Sequence, residues 1–220
     1  MKRGCRFTVL LAGLLLISVL SGSAFAADIV PLNPDPETDL NNGTFCIGLR
    51  DLDKIEEEGF FTADLYVEER YDAEQIKALA PGDTVRMNGS VWTVEKMVIH
   101  EDQEGGPEAR ELYPVEEFWG YIAFWPQEDG TYLGVMNDWC PVIPVGEAKI
   151  MLPLPDRFAF YTYSAGEKNP PEDFQAMLDY LETFGNDFTP YNTTGVFEEG
   201  ALTEIVHSSY PEGPEEYGDE

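Results

Sequence analysis

The sequence predicts an α+β fold, built mostly of antiparallel β-strands with one well-defined helix in the C-terminal half and one short helix in the N-terminal half. Two observations support this class. Short segments in which apolar and polar residues alternate, a pattern typical of half-buried strands, follow one another along most of the chain. Helical patterns interrupt them only twice, unlike the regular strand–helix alternation of parallel doubly wound folds.

The N-terminal half contains a strand followed by the short helix. The segment "GFFTADLYVEER" (59–70) alternates apolar with polar or aromatic residues and predicts the strand. Asp72 is a good N-cap, and Gln75 three residues later completes a capping-box pattern. Pro81 and Gly82 then stop the helix.

A β-hairpin is predicted directly after this helix. Asn88-Gly89 lies between two alternating runs, which is the strongest short-range hairpin signal. A two-residue turn there pairs Val85 with Trp92. It also places one apolar set on a single face, namely Val85, Met87, Trp92 and Val94.

The C-terminal half contains more strands and the longer helix. Five strand candidates are "ELYPV", "EEFWGYIAFW", "TYLGVM", "AKIMLPL" and "RFAFYTY", and a final hairpin is "TGVFEEGALTEIVHSSY". The helix is predicted over 170–184, with Asn169 as cap, Pro170 at the first position and Gly185 at the end. Its apolar stripe, which we expect to pack on a sheet, comprises Phe174, Met177, Leu178, Leu181 and Phe184.

Residues 1–26 have the features of a signal peptide. A basic start precedes the run "VLLAGLLLISVL", which is short for a membrane span. Ala24-Phe25-Ala26 fits the A-x-A cleavage pattern, so we expect cleavage after Ala26. The alternative is an uncleaved membrane anchor. With cleavage, the protein is secreted or extracytoplasmic and has no stable membrane insertion.

The rest of the chain divides by composition. Residues 27–43 are rich in Pro, Asp and Asn and predict an extended tether, and residues 210–220 predict a loose acidic tail. The globular body is then 44–209. A polar, Gly-containing segment at 100–110 is the one plausible boundary, and it would separate two halves, 44–99 and 111–209.

The charge of the chain restricts its partners. It has 42 acidic against 13 basic residues and a formal net charge of −29. Such a charge repels nucleic acids and anionic lipid surfaces, so neither is expected as a partner. It permits a cationic partner, and it also serves simply to keep an exported protein soluble.

Two cysteines remain after the leader, Cys46 and Cys140. An exported protein permits a disulfide between them. The bridge would close a long loop, which the chain-entropy model credits with about 4–5 kcal/mol. Two buried free thiols are the alternative interpretation, because they would give the same sequence pattern.

No pattern of residues predicts catalysis, a metal site or a cofactor. The chain lacks a G-x-S-x-G motif, and His100 and His207 are expected to be surface or half-buried strand residues. Asp51 and Asp53 begin like a calcium loop, but the following residues lack the glycine that makes its turn. Neither zinc nor another metal ion is therefore expected to have a site.

The stretch 116–125, "EEFWGYIAFW", provides the candidate binding residues. Read as one strand, its first face carries Phe118, Ile122 and Phe124. The opposite face would carry Trp119, Tyr121 and Trp125, with Glu117 as a polar neighbour. Such a row can stack on sugar rings or grip an extended peptide. It can equally be core, since the helix or the first half of the chain could cover it.

The function predicted from these patterns is a secreted or cell-surface, non-catalytic binding or accessory protein whose ligand is unknown. A glycan, a peptide and a cationic molecule are the candidate ligands. The first alternative is a secreted carbohydrate-active hydrolase, which would need two carboxyl groups across a cleft. The second alternative is an acidic interaction or inhibitor module for a basic partner.

Overall fold

A computed structural model describes residues 26–34, 38–100, 108–137, 139–164 and 167–208. The elements within these ranges are, in chain order, β1 (Asp28–Ile29), β2 (Gly43–Arg50), α1 (Lys54–Glu58), β3 (Phe60–Glu68), β4 (Arg70–Asp72), α2 (Ala73–Ala78), β5 (Thr84–Met87), β6 (Ser90–His100), β7 (Ala109–Pro114), β8 (Ile122–Pro126), β9 (Thr131–Met136), β10 (Val142–Met151), β11 (Ala159–Ser164), β12 (Glu167–Lys168), α3 (Phe174–Phe184), β13 (Thr193–Glu198) and β14 (Ala201–His207).

These strands form two mixed sheets of seven strands each. Sheet 1 has the order β1-β5-β6-β7-β8-β9-β4, and sheet 2 has the order β10-β3-β2-β13-β14-β11-β12. Each sheet contains a parallel pair, β1 with β5 in sheet 1 and β11 with β14 in sheet 2. The prediction of a sheet-rich α+β protein is confirmed. The sheets are mixed, however, and the short helix α1 adds to the two helices that were predicted.

One face of sheet 2 packs against α3. The core on this face contains apolar side chains from most strands of the sheet, among them Phe61 and Phe160. Met177 of α3 is fully buried in it, and the Phe174 ring stacks on Phe61 with 6.2 Å between the centroids. The predicted apolar stripe therefore packs on a sheet, except for the exposed Phe184.

The start of α3 differs from the prediction. Its N-cap is Asp173, whose Oδ1 accepts a hydrogen bond of 3.0 Å from the Ala176 amide, so Asn169 as the cap is wrong. The cause is a contact with a distant strand. Glu172 and Phe160 exchange two backbone hydrogen bonds of 2.8 Å, which hold the chain extended up to Asp173. Gly185 ends the helix as predicted.

The inner face of sheet 1 forms a second core, which includes the fully buried Tyr71 and Phe124. α2 covers this core through the buried Ile76. The predicted N-cap is confirmed, because Asp72 Oδ1 accepts a hydrogen bond of 2.9 Å from the Gln75 amide. Capping fixes the point where β4 turns into the helix and so aims the Ile76 side chain at the sheet.

The predicted hairpin is confirmed in position and register. β5 and β6 flank Asn88-Gly89, and Val85 pairs with Trp92. Both turn residues have positive φ, 50° for Asn88 and 71° for Gly89, as a two-residue hairpin turn requires. The side chains predicted to share a face all belong to the sheet 1 core, namely Val85, Met87, Trp92 and Val94.

The chain crosses between the sheets at three places, and Glu69 joins the last two of them. It lies between β3 and β4, and its amide donates to the carbonyl of Pro141, which lies between β9 and β10, at 2.8 Å. Its buried carboxylate accepts hydrogen bonds from the Tyr71 hydroxyl at 2.7 Å and from the Asn88 amide at 3.1 Å. Burial raises the pKa of Glu69, while these hydrogen bonds oppose that rise.

The described part of 27–43 is packed, unlike the extended tether that its composition predicts. Asp28–Ile29 forms β1 on the edge of sheet 1, and Ile29 is buried in the core of that sheet. Leu40 packs against the core of sheet 2. The few apolar residues among the Pro, Asp and Asn therefore anchor this segment to both sheets, which composition alone could not predict.

The boundary expected at 100–110 does not separate two parts of the fold. β6 and β7 on either side of it are antiparallel neighbours in sheet 1. Each sheet combines strands from both predicted halves, so 44–99 and 111–209 do not correspond to the two sheets. The leader before Ala26 and the tail 210–220 lie outside the described residues.

Gly134→Ala should destabilise the protein by about 1–3 kcal/mol, which is typical of overpacking a core. A Cβ atom at Gly134 would lie 2.8 Å from both Met87 Cε and Tyr71 Cε2, and both of these side chains are fully buried. Urea unfolding monitored by aromatic fluorescence measures the change. Gly48→Ala in β2 is the control, because its Cβ would meet Pro190 Cδ at an ordinary 3.5 Å. Equal midpoints for the two variants would contradict the prediction.

Candidate functional site

A shallow groove lies on the outer face of sheet 1, the face opposite its core. Strand pairing places Glu111 of β7 directly opposite Ala123 of β8 on this face. We call this cavity of about 320 Å³ the sheet 1 groove. Its lining residues are His100, Ala109, Arg110, Glu111, Tyr121, Ala123 and Trp125.

Two aromatic side chains flank a small residue in the sheet 1 groove. Trp125 is 48% exposed, Tyr121 is half-buried, and Ala123 between them is buried. The strand period of two puts all three on one face, so the small Ala123 leaves a gap between the rings. Tyr121 and Ala123 also pack with Leu133 and Val135 in a small apolar cluster, which supports the groove from below.

Polar groups complete the sheet 1 groove. His100 Nε2 lies 2.8 Å from Glu111 Oε2, so the imidazole and the carboxylate hold each other in position. The Arg110 guanidinium is mostly buried and makes two long hydrogen bonds of 3.4 Å, to the Lys77 carbonyl and to the Glu108 carboxylate. Its Nε has no hydrogen-bond partner among the described residues. Arg110 pairs with Phe124 on the core face of sheet 1, so its guanidinium points away from the groove. The polar groups that the groove offers beside its aromatic surface are therefore those of Glu111 and His100.

The continuous strand predicted over 116–125 is wrong, because β8 begins only at Ile122. The chain bends at Gly120, which has φ 142°. A side chain there would collide with Asn137, since a Cβ atom would lie 1.8 Å from Asn137 Oδ1. Asn137 instead holds the backbone of Tyr121 at two points. Its side-chain Oδ1 accepts a hydrogen bond of 3.1 Å from the Tyr121 amide, and its backbone amide donates one of 2.9 Å to the Tyr121 carbonyl.

This bend separates the four predicted binding residues. Tyr121 and Trp125 lie together in the sheet 1 groove, whereas Trp119 and Glu117 precede the bend and do not line it. Trp119 is 93% exposed, and Glu117 is exposed as well. The helix that could have covered this aromatic row does not do so, because α3 packs on sheet 2. Trp119 and Trp125 both remain exposed. The first face matches the prediction, as Phe118, Ile122 and Phe124 all pack in the sheet 1 core.

Glu116 and Glu117 do not form an acid–base pair. Glu116 Oε1 accepts from the Thr93 hydroxyl at 2.7 Å and its Oε2 accepts from the Thr93 amide at 2.8 Å. These hydrogen bonds lower the pKa of Glu116 and attach it to β6. Among the described residues, Glu69 has a carboxyl group whose pKa is raised, but this group is buried away from the sheet 1 groove. The neutral acid that glycoside hydrolysis needs is therefore not provided by these groups.

The cysteines lie in a second cavity of about 330 Å³, which sequence patterns did not reveal. Cys46 projects from the outer face of sheet 2, and Cys140 precedes β10. Both are free, half-buried thiols, so no bridge is present in this structure. The rings of Trp139 and Tyr191, 5.0 Å apart, form part of the wall. We call this cavity the cysteine pocket.

Neither thiol is suited to act as a nucleophile. Burial raises the pKa of Cys46 to about 12, and the charges of Glu68 and Cys140 contribute. Burial likewise raises the pKa of Cys140 to about 11, and Glu68 again contributes. The reactive thiolate is therefore a minute fraction near neutral pH.

His207 is fully buried, so its prediction as a surface or half-buried residue is wrong. Its Nδ1 lies 2.9 Å from Thr193 Oγ1. Its Nε2 lies 3.1 Å from the Tyr180 hydroxyl and 3.3 Å from Asp187 Oδ2. A hydroxyl, an imidazole and a carboxylate in contact resemble the parts of a nucleophilic triad, so the accessibility of these groups decides what they can do.

Burial argues against a triad. Thr193 and His207 are both buried, so neither is open to a substrate. The Thr193 hydroxyl is also engaged, because it donates to Asn192 Oδ1 at 2.9 Å, and Asn192 Nδ2 is itself fixed by donating to the Asp187 carbonyl. Burial lowers the pKa of His207, against the opposing effect of Asp187, and favours its neutral form.

The described residues contain no group of three or more side chains that could hold a metal ion. They also contain no helix long and apolar enough to cross a membrane. Comparisons with protein-family models, with curated proteins and with solved structures found no match. The site must therefore be interpreted from its own geometry.

Both cysteines should react slowly with a thiol reagent near pH 7.5. Relative to an ordinary cysteine, the rise in the pKa of Cys140 to about 11 should slow its modification roughly 100-fold, because only the thiolate reacts. Timed alkylation followed by mass spectrometry measures the rate for each residue. The urea-unfolded chain is the control, in which both thiols should react at the ordinary rate. Equal rates in the folded and unfolded chains would contradict the raised pKa values.

Lowering the pH from about 7.5 to about 5.5 should destabilise the fold through His207. The unfolded chain takes up a proton near the ordinary histidine pKa of 6.5, whereas the folded chain resists it, so stability falls as the pH drops below that value. The fall contributed by one such group is at most about 1.4 kcal/mol per pH unit. Urea unfolding across this pH range measures it. In His207→Gln, which does not titrate, the slope should be shallower, and an unchanged slope would contradict the prediction.

Proposed function

We propose that this chain is an exported, non-catalytic binding protein that takes a sugar ring of a glycan in the sheet 1 groove. The observation that carries the proposal is the pair Trp125 and Tyr121 on either side of the small Ala123, with Trp125 half-exposed although it is a large apolar side chain. Aromatic rings that remain accessible beside a gap are suited to contact the apolar face of a flat ligand.

The polar side of the groove supports a glycan over a purely apolar ligand. Glu111 and His100 are linked at 2.8 Å and offer acceptors and donors to hydroxyl groups at the edge of a ring. A ring that stacks on Trp125 could therefore exchange hydrogen bonds with these groups, which fix the orientation of a ligand.

The absence of catalysis in this proposal rests on the chemistry of the groove. Glu111 is the carboxylate that lines it, and its Oε2 is engaged by His100. Cleavage of a glycosidic bond would need a second carboxyl group across the cleft, with one of the pair kept neutral near pH 7. We therefore favour binding over the carbohydrate-active hydrolase, and release of sugar products from a bound glycan would contradict this part of the proposal.

Export is the other part of the proposal. It is supported by the basic start, the short apolar run and the Ala24-Phe25-Ala26 pattern of the first 26 residues. The net charge of −29 is compatible with a soluble exported protein that avoids anionic surfaces.

Trp125→Ala should weaken glycan binding about tenfold or more, equivalent to about 1.4 kcal/mol, because the stacking surface is lost. The ligand is first found by probing glycan and peptide arrays with the chain that starts at Ala27, and its affinity is then measured by calorimetry. Trp119→Ala is the matched control. Trp119 is more exposed than Trp125 but lies outside the groove, so its removal should leave the affinity unchanged.

The arrays and a salt titration also separate the alternatives. A neutral glycan should bind almost equally at low and high salt, whereas a cationic peptide held by the acidic surface should dissociate as salt screens the charges. The sheet 1 groove would be contradicted as the binding site if neither array showed binding. It would also be contradicted if Trp125→Ala and Trp119→Ala lost equal amounts of affinity.

A further inference from the structure

The first described residues are held in a defined position although they lie on the surface. Ala26 and Ala27 are both exposed, so the bond between them is accessible. The Ala27 carbonyl accepts a hydrogen bond of 2.8 Å from the Thr84 amide. The next residues form β1 along β5, and Ile29 is buried in the sheet 1 core. The chain is therefore fixed at Ala27 and along β1.

The Ala27 nitrogen points at a carboxylate, since it donates to Asp83 Oδ1 at 2.7 Å. This carboxylate is held in place independently of Ala27. Its other oxygen accepts from the Ala80 amide at 2.8 Å, and the backbone of Asp83 bonds Ala80 and Val94 at 3.0 and 2.8 Å. Asp83 thus presents one oriented oxygen to the nitrogen of Ala27.

We propose that Ala27 is the first residue of the mature protein and that its α-ammonium group binds to Asp83. A leader peptidase would hydrolyse the Ala26–Ala27 bond with one water molecule, which leaves a carboxylate on Ala26 and an amine on Ala27 that takes up a proton near neutral pH. The neutral amide donor 2.7 Å from Asp83 Oδ1 then becomes a cation at the same place. A charged donor makes a stronger hydrogen bond to a carboxylate than an amide does.

The neighbouring charges leave Asp83 available for the ammonium group. Asp28 is the acidic residue that follows Ala27 in the chain. Its carboxylate accepts a hydrogen bond of 3.0 Å from the Thr84 hydroxyl and forms an ion pair with Arg86 at 3.5 Å. Among the described residues, no basic side chain forms an ion pair with Asp83. Removal of the leader would therefore supply the cation that this carboxylate lacks, and it would strengthen the attachment of β1 to the sheet edge.

This inference rests on the export proposed above, but the ammonium site is tested separately from export. Four proteins are compared: the chain that starts at Ala27, the same chain extended before Ala27 by a short Gly-Ser segment, and Asp83→Asn in each. The asparagine retains an oxygen acceptor but removes the charge. Asp83→Asn should lower the melting temperature of the chain that starts at Ala27 by about 2–4 °C, which corresponds to an interaction of ordinary size in a domain of this length.

In the extended chain, where Ala27 carries only an amide N–H, Asp83→Asn should lower the melting temperature distinctly less. Equal effects of Asp83→Asn in the two chains would overturn the ammonium site. Mass spectrometry of the exported protein gives its first residue, and a start at any residue other than Ala27 would overturn the processing site. Retention of the uncleaved chain inside the cell would overturn the proposed export itself, whatever the melting temperatures show.

Discussion

Glu69 ties the two sheets together, and the positions of both cavities depend on it. It occupies the crossing from β3 to β4, and its amide donates to the carbonyl of Pro141 in the crossing from β9 to β10. Its own carbonyl accepts from Gly134 at 3.0 Å, which fixes β9 against β4. β9 pairs with β8, the strand that carries Trp125, and Cys140 immediately precedes Pro141. The carboxylate meanwhile reaches the turn of the β5–β6 hairpin, so one buried residue organises three separate parts of the chain. A buried carboxylate is tolerated there because both of its oxygens accept hydrogen bonds, from the Tyr71 hydroxyl and the Asn88 amide.

Local signals predicted local structure well. The cap at Asp72 and the hairpin turn at Asn88-Gly89 depend on hydrogen bonds and φ angles within a few residues, so the sequence pattern determines them. The start of α3 depends instead on Phe160, which holds Glu172 in an extended bridge. Asn169 and Asp173 are equally good caps by residue type, and only that distant contact decides between them. β1 is a similar case, because its two residues become a strand only where the edge of β5 is available.

The candidate site was predicted in part. Period-two alternation correctly put Tyr121 and Trp125 on one face and Phe124 on the other, because that rule holds within β8. It failed at Trp119, beyond the bend at Gly120. A glycine inside an otherwise apolar run is a known sign of a break or a bulge, so this failure had a signal in the sequence. For the cysteine pocket the signal was the pair of cysteines itself, which permitted a bridge between them. Cys46 and Cys140 are far apart in the chain, and the fold brings them into one cavity beside the crossing at Pro141.

The short strands at the sheet borders bear on how molecules of this protein behave towards one another. Sheet 1 ends in β1 and β4, and one border of sheet 2 is β12, all of two or three residues. The remaining border strand, β10, is long but contains Pro144 and an irregular register between Pro144 and Gly146. Long regular borders offer backbone groups on which a second molecule can add a strand. Here such addition is limited on every side, and mutual repulsion between highly acidic molecules opposes it further. Loss of residues 27–29 would leave β5 as the border strand of sheet 1 and so allow a second molecule to pair with it at high concentration.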